Sequence, residues 1–304
     1  MRYHRLDLNL LTALKALLTE KNVTRAGESM HVTQSAMSGI LARLRSHFDD
    51  PLIVQVGRKM ELTPLAESLL QPLSDVLLRI DATISTRPAF NPATSIRHFS
   101  IVASDYTVSI ALAEAIQRIY REAPGITFEL RMPSNAAAAE LEAGDVDFII
   151  HPQDQGSSSQ PGVVLFEDSY VIVADPNHLH VGETMSVEEY WKYGHVGYMS
   201  GSSGLSMYES WYNRGHGNER RMEVYAHSFH LLPHLVVGTN RLATMHARLA
   251  QTFTKQWNLR LIRPLFETPK LVEVLQWHKY RDQDPGNAWI RQCLIDATRH
   301  LRNE

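Results

Sequence analysis

Gln34, Ser35 and Ser38 follow Thr33 closely, and Arg43 and Arg45 come after them. On a helix capped by Thr33, the three polar side chains lie in the first turns, opposite an apolar face of Met37, Ile40, Leu41, Leu44 and Phe48. A buried helix gains nothing from such a polar face, but a duplex-reading helix does. A glutamine amide pairs bidentately with adenine, a serine hydroxyl donates to or accepts from base edges, and arginines further along suit phosphates. Arg25 upstream and Arg58-Lys59 downstream add cations suited to backbone phosphates. The expected DNA contacts are therefore Arg25, Thr33, Gln34, Ser35, Ser38, Arg43, Arg58 and Lys59, with Arg45 as a further phosphate ligand.

A second chemistry is suggested where strands run into helices: Ser104-Asp105-Tyr106-Thr107, Ser200-Gly201-Ser202-Ser203 and His227-Ser228-Phe229-His230. A helix N-terminus presents backbone N–H groups that favour a carboxylate or phenolate oxygen. Flanking hydroxyl, imidazole and aromatic groups suit a planar ring with ionisable oxygens. Ser104, Asp105, Tyr106, Ser202, His227, Ser228 and Phe229 are the candidate contacts. Six of the 15 histidines, His195, His216, His227, His230, His234 and His246, lie in one stretch. His227, His230 and His234 have helical offsets, but no acid nearby completes a ligand set, so no metal is expected. Imidazoles that titrate near neutrality are better partners for an acidic phenol.

The elements that must position these groups can be read in order. Leu10, Leu11, Leu14, Leu17 and Leu18 mark a first helix behind Asp7, and a second covers roughly 24–30. His31-Val32 make a tight connection, and the Thr33-capped helix runs to about Phe48. Two short strands, 52–55 and 59–62, surround the turn Val56-Gly57-Arg58. This order is a winged helix-turn-helix over residues 1–62. Thr63-Pro64 starts a long helix whose apolar stripe, Ala66, Leu69, Leu70, Leu73, Leu77, Ile80 and Ile84, is expected to pair with a second copy. A hinge at Arg87–Pro92 ends this linker, residues 63–92. Strands and helices then alternate: strands at 98–103, 126–132, 146–150, 195–199, 222–226, 242–245 and 272–277, and a long strand pair or crossover at 163–174. The expected fold is α/β, with two lobes over 93–304: one of about 93–163 and 268–304, the other about 164–267. A ligand cleft is expected between them.

Composition narrows the function. Residues 1–60 carry nine Lys/Arg against five Asp/Glu, while the remaining chain is acidic. That asymmetry fits an N-terminal nucleic-acid footprint. No Gly-x-Ser-x-Gly elbow, dinucleotide fingerprint or phosphate loop is present, and Gly197-Tyr198-Met199-Ser200-Gly201 has the wrong spacing. No enzyme and no cofactor are expected. The single Cys293 excludes an internal disulfide, and no apolar run approaches the ~20 residues of a membrane span. The start Met1-Arg2-Tyr3-His4-Arg5 does not lead into an export signal. A cytoplasmic protein is expected, which disfavours an exported two-lobed solute-binding protein.

The stretch Asn22-Val23-Thr24-Arg25-Ala26-Gly27-Glu28-Ser29-Met30-His31-Val32-Thr33-Gln34-Ser35-Ala36-Met37-Ser38 through Arg45 resembles the DNA-binding segment of LysR-type transcriptional regulators. Leu62-Thr63-Pro64 is similar to that family's linker-helix start. Leu141-Glu142-Ala143-Gly144-Asp145-Val146-Asp147-Phe148 looks like its first-lobe helix-to-strand junction. Trp277-His278-Lys279-Tyr280, with Asp284-Pro285-Gly286-Asn287 and Trp289, resembles the branch holding nodulation regulators and salicylate- or nitrotoluene-responsive regulators. The resemblance implies a periplasmic-binding-protein-like effector domain and a homodimer or homotetramer on an interrupted palindrome in promoter DNA. It further implies activation through RNA polymerase when a small aromatic inducer, such as a chlorinated phenol, hydroquinone or hydroxybenzoate, enters the cleft. An aromatic-degradation operon is the expected target. A repressor, or a regulator answering a flavonoid or other small molecule, is the alternative. By resemblance the effector positions are Ser104, Asp105, His195 and Ser228. Ser228 stands where a histidine is expected, with His227 next to it, and Gly39 replaces an expected long polar residue.

Overall fold

We describe the fold from a computed structural model, over residue 7 and residues 9–84, 90–178, 181–200, 204–216 and 220–302. The chain divides into two compact units, one of residues 1–87 with 142–144 and one of residues 88–141 with 145–304.

In the first unit, helices Asn9–Glu20, Val23–Ser29 and Gln34–Phe48 precede antiparallel strands Ile53–Val56 and Lys59–Leu62. Local chemistry sets each boundary. Asn22 accepts the N–H groups of Thr24 and Arg25, and the Thr33 hydroxyl accepts that of Ala36 at 3.2 Å. A Cβ on Gly27 would lie 3.0 Å from the Val32 carbonyl, so glycine permits the tight approach between the second and third helices. Gly57, at φ +64°, turns the wing. Leu10, Leu14, Leu17 and Leu18 pack with Met37, Leu41, Leu44, Leu52 and Ile53 into one core, and Ile40 and Phe48 sit half-buried at its rim.

The helix Pro64–Ile84 starts where the Thr63 hydroxyl accepts the Ala66 N–H at 3.1 Å, and its 21 residues span about 32 Å. Its expected stripe does not all remain for a partner. Ala66 and Leu73 are buried in the winged unit's own core, with Leu69, Leu70 and Leu77 against it. The helix returns over the first helix, and that contact uses the N-terminal half of the stripe. Val76, Arg79, Ile80 and Thr83 line a shallow depression beyond it. The side chain of Ile84 and the hinge residues 87–89 lie outside the described residues.

The second unit contains two sheets. The first orders its strands Ile126–Arg131, Arg97–Val102, Phe148–Pro152, Leu271–Trp277 and Gly162–Asp168, the first three parallel and the last two antiparallel to their neighbours. The second runs Gly204–Leu205, Gly194–Ser200, Leu242–His246, Tyr170–Ala174, Arg260–Pro264 and Thr184–Met185, and Arg221–Ala226 also pairs with Gly194–Ser200. Strands Gly162–Asp168 and Tyr170–Ala174 belong to different sheets. The chain therefore crosses between lobes at Ser169, not near residue 164, because six register pairs hold Gly162–Asp168 to Leu271–Trp277. Strands Arg260–Pro264 and Thr184–Met185, and the short helix Val187–Tyr190 with its Ser186/Glu189 capping box, were not expected from the sequence. The helical run from Asp105 to Glu122 contains a π turn at Val108–Leu112.

Candidate functional site

The Gln34–Phe48 helix presents Gln34, Ser35, Gly39, Ala42 and Arg43 to solvent, with Ser38 half-buried. The Gln34 side-chain amide donates to the Ser38 hydroxyl at 3.2 Å, one helical turn away. This bond restrains the glutamine rotamer on the exposed face. Thr33 is exposed, and its hydroxyl is used as the cap. Arg58 and Lys59 stand exposed at the wing tip. Two arginines have intramolecular work. Arg25 holds the Glu20 carbonyl at 2.7 Å and the Glu20 carboxylate at 3.2 Å. Arg45 was expected on a phosphate, but its guanidinium donates to the carbonyls of Pro51 at 2.8 Å and Ile53 at 3.0 Å. It braces the wing because three residues after the helix the chain turns back beneath it.

In the second unit a cavity of about 380 Å³ opens between the two sheets, within the range of about 300–1,000 Å³ of small-molecule sites. Val102, Ile149, Ile150 and Leu271 supply one apolar wall. Tyr170, Tyr198, Tyr208, Phe229 and His246 supply the other. Those rings stack in series: Tyr198 on Phe229 at 3.9 Å, Phe229 near His246 at 4.6 Å, and Tyr170 near Tyr208 at 4.9 Å. Such a wall accepts a planar ring. Gln276 is already committed to Ser157 and His151 at 2.7–3.1 Å.

Two buried atoms of lining side chains, Glu273 Oε2 and His246 Nδ1, have no hydrogen-bond partner among the described residues. Glu273 is 3% exposed; its Oε1 accepts weakly from the Thr107 hydroxyl at 3.5 Å and its Oε2 has no partner. Burial pushes its carboxyl up to about 8, the Thr107 bond opposing and the Asp168 charge adding to the rise. His246 is 5% exposed with Nδ1 unpartnered, and burial pulls it down to about 3, so the ring is neutral. Glu209 also lines the cavity, but Arg220 pairs with it from behind, and Arg220 itself lies 4.4 Å over the Tyr212 ring. No lysine or arginine lines the cavity among the described residues. Ionised effector oxygens, expected from the sequence, would therefore find no counter-charge there.

Of the candidate effector contacts, Ser104 and Phe229 line the cavity. Asp105 and Ser228 meet each other instead. The Ser228 hydroxyl donates to Asp105 Oδ2 at 2.6 Å, joined by the His230 backbone N–H at 3.2 Å and His230 Nδ1 at 2.9 Å. The other imidazole nitrogen, Nε2, faces the Ser109 hydroxyl at 2.8 Å. Asp105 thus fills the anion position at the helix start after Ser228 and ties the two lobes together. Tyr106 is fully buried behind the wall, its phenol donating to Asp168 at 2.7 Å and its ring stacked 3.9 Å on His246.

His195 does not reach the cavity. It is completely buried, its Nε2–H donates to the Tyr190 carbonyl at 2.8 Å, and burial together with Arg220 lowers it to about 3. The residue sits near the start of its strand, so its ring packs under Tyr190, whereas the cavity opens at the strand's other end, at Tyr198. His227 is exposed, and Ser202 lies outside the described residues. The three helically spaced histidines do not converge, since His234 packs against Trp257 at 4.4 Å. Among the described residues no group of three metal-binding side chains forms.

Sequence reasoning missed Tyr170, Glu273 and Gln276, which come from strands, and Tyr208, which lies in the first turn of the helix Met207–His216. A signal was present in Leu271-Val272-Glu273-Val274-Leu275, an acid at the centre of an apolar run.

Comparison with known proteins agrees with this geometry. The model of the LysR substrate binding domain matches residues 93–299, and that of the bacterial regulatory helix-turn-helix protein, lysR family, matches residues 8–67. Nodulation protein D of Bradyrhizobium sp. (strain ANU 289) is 38% identical over 304 residues, covering 100% of this chain and 90% of its own. A probable transcriptional regulator from Pseudomonas aeruginosa superposes with a TM-score of 0.64 at 26% identity, covering 96% of this chain and 98% of its own. Full-length OxyR from Pseudomonas aeruginosa gives 0.74 at 15% identity, covering 97% and 95%. A winged helix-turn-helix unit matched by the family's own model over residues 8–67, and a two-lobed unit matched over residues 93–299, identify the chain as a member of the LysR family of DNA-binding transcriptional regulators.

Proposed function

We propose that this regulator is an inducer-dependent activator whose effector is a small aromatic compound held in the cavity between the lobes. The observation that carries this reading is the wall of stacked rings, Tyr198, Phe229, His246, Tyr170 and Tyr208, around a space large enough for an aromatic ligand. Promoter DNA is read by Gln34, Ser35 and Ser38, with Arg43, Arg58 and Lys59 on phosphates, across an interrupted palindrome bound by a homodimer or homotetramer. Inducer binds one lobe arrangement better, the oligomer repacks, and RNA polymerase engages. The target genes in this reading encode breakdown of an aromatic compound. A second reading, control of nodulation genes, is favoured by the name carried by the curated relatives.

The test is DNase footprinting on the chain's own upstream region at stated salt, with and without phenol, hydroquinone and hydroxybenzoate panels, alongside transcript profiling of a deletion strain. A footprint that shortens with an aromatic compound, and loss of induced degradation transcripts in the deletion strain, support the first reading. Loss of nodulation transcripts alone supports the second. A footprint altered only by non-aromatic acids refutes the aromatic effector.

A further inference from the structure

We propose that the effector this cavity selects is an uncharged, hydroxylated aromatic, and that Glu273 and His246 are the side chains that hydrogen-bond its hydroxyl groups. The inference rests on the cavity being the effector site, and it adds which chemistry the ligand carries and which residues read it.

Three observations lead to it. Glu273 and His246 both line one cavity, and Glu273 Oε2 and His246 Nδ1 are each buried without a hydrogen-bond partner among the described residues. Buried polar groups of this kind are normally paired, and an unpaired one is a place where a ligand gains affinity. The protonated carboxyl offers an O–H and the neutral imidazole a second hydrogen-bonding nitrogen. A phenol, which both donates and accepts, completes such a pair, while the rings of Tyr198, Phe229 and Tyr170 enclose its aromatic body.

The helix start after Ser228, which would suit an ionised ligand, is already taken. The start of the helix after Ser228 is occupied by Asp105 Oδ2, which accepts the Ser228 hydroxyl and the His230 N–H. Ser104 and Ser206, both in the cavity wall, accept the Thr107 and Glu209 backbone N–H groups as helix caps, and the Ser104 hydroxyl also meets the Thr107 hydroxyl at 2.9 Å. The wall contains no lysine or arginine among the described residues, and the Arg220 charge is cancelled by Glu209. An anion entering here loses its water without gaining a counter-charge. Around Glu273 the neighbouring ionisable groups are Asp168, Tyr106 and Tyr170, none of them a cation at neutral pH.

The test uses the purified full-length protein at pH 7 and two probes with one ring system and different charge, 2-naphthol and 2-naphthoate, measured by isothermal titration calorimetry. The expected result is that 2-naphthol binds at least tenfold more tightly. Glu273→Gln, whose amide both donates and accepts, stays within about threefold of wild type. Glu273→Leu and His246→Leu each weaken 2-naphthol tenfold or more while melting cooperatively. Ala138→Trp, which fills the cavity from an exposed lining position, blocks binding. If 2-naphthoate binds more tightly, or Glu273→Leu and His246→Leu bind 2-naphthol as wild type does, this inference fails while the cavity reading stands. If Ala138→Trp leaves 2-naphthol binding intact, or neither probe binds, the cavity reading fails and takes the inference with it.

Discussion

Replacing Glu273 by glutamine isolates the protonation state of a buried acid. In the folded chain its carboxyl is pushed up to about 8, against an ordinary value of 4.5 once unfolded. Between those limits the folded protein keeps a proton that the unfolded chain has released. Wild-type stability therefore falls by about 1.4 kcal/mol for each pH unit in that window, and the effect is flat below and above it. His195 and His246 act in the opposite sense: both are pulled down to about 3, so their contribution grows as pH rises from 3 to 6.5. Both variants carry these histidines, so the difference between Glu273→Gln and wild type reports Glu273 alone. That difference should shift toward the glutamine variant by about 2–3 kcal/mol between pH 5.5 and 7.5. For a unit of this size it corresponds to about 4–12 °C in melting temperature. Thermal and urea unfolding of the full chain at pH 5.5, 6.5 and 7.5 measures it. A difference that stays constant with pH means the carboxyl is already ionised when folded, and the reasoning about the cavity's charge is wrong.

Three further outcomes are expected. Asp105→Ala removes the acceptor for Ser228 and His230 across the lobes; discounted for partial exposure, this costs about 1–2 kcal/mol and lowers the second unit's melting temperature by about 2–8 °C, and an unchanged melt refutes the latch. Arg43→Ala should reduce the salt slope of promoter binding by about one with little change in stability, whereas Arg45→Ala should destabilise the wing and leave the slope alone; the reverse pattern in gel retardation and melting would exchange their roles. Acidification from pH 6.5 toward 4.5 should destabilise wild type more than His195→Gln, by about 1.4 kcal/mol per pH unit, since the unfolded chain takes up a proton that buried His195 refuses; equal acid sensitivity in urea titrations counts against a neutral His195.

The reading unit was legible because its signals are local. Thr33 and Thr63-Pro64 announce helix starts within three residues, and the leucine spacing of 10–18 fixes a face. The strands of the effector unit were legible where apolar residues run together, as in Leu242–His246, and invisible in Arg260–Pro264, where arginine and proline mask a strand between two others. The cavity was legible only at its edges. Helix starts point to Ser104 and Phe229, but the wall draws Tyr170, Tyr208, His246 and Glu273 from four segments that only the tertiary fold unites. Sequence spacing likewise could not show that Asp105 is bound by Ser228, 123 residues away. Nor could it show that Arg45 belongs to the wing, since its acceptors are backbone carbonyls.

Strand Gly162–Asp168 leaves one sheet and Tyr170–Ala174 enters the other with Ser169 alone between them, while the return passage from Arg260–Pro264 to Leu271–Trp277 has six residues. A tether one residue long has no slack. The two sheets are held close at that point, and Tyr106, bonded to Asp168 and stacked on His246, touches both the crossover and a residue lining the cavity. One side chain thus joins a residue lining the cavity to the residue that precedes the crossover.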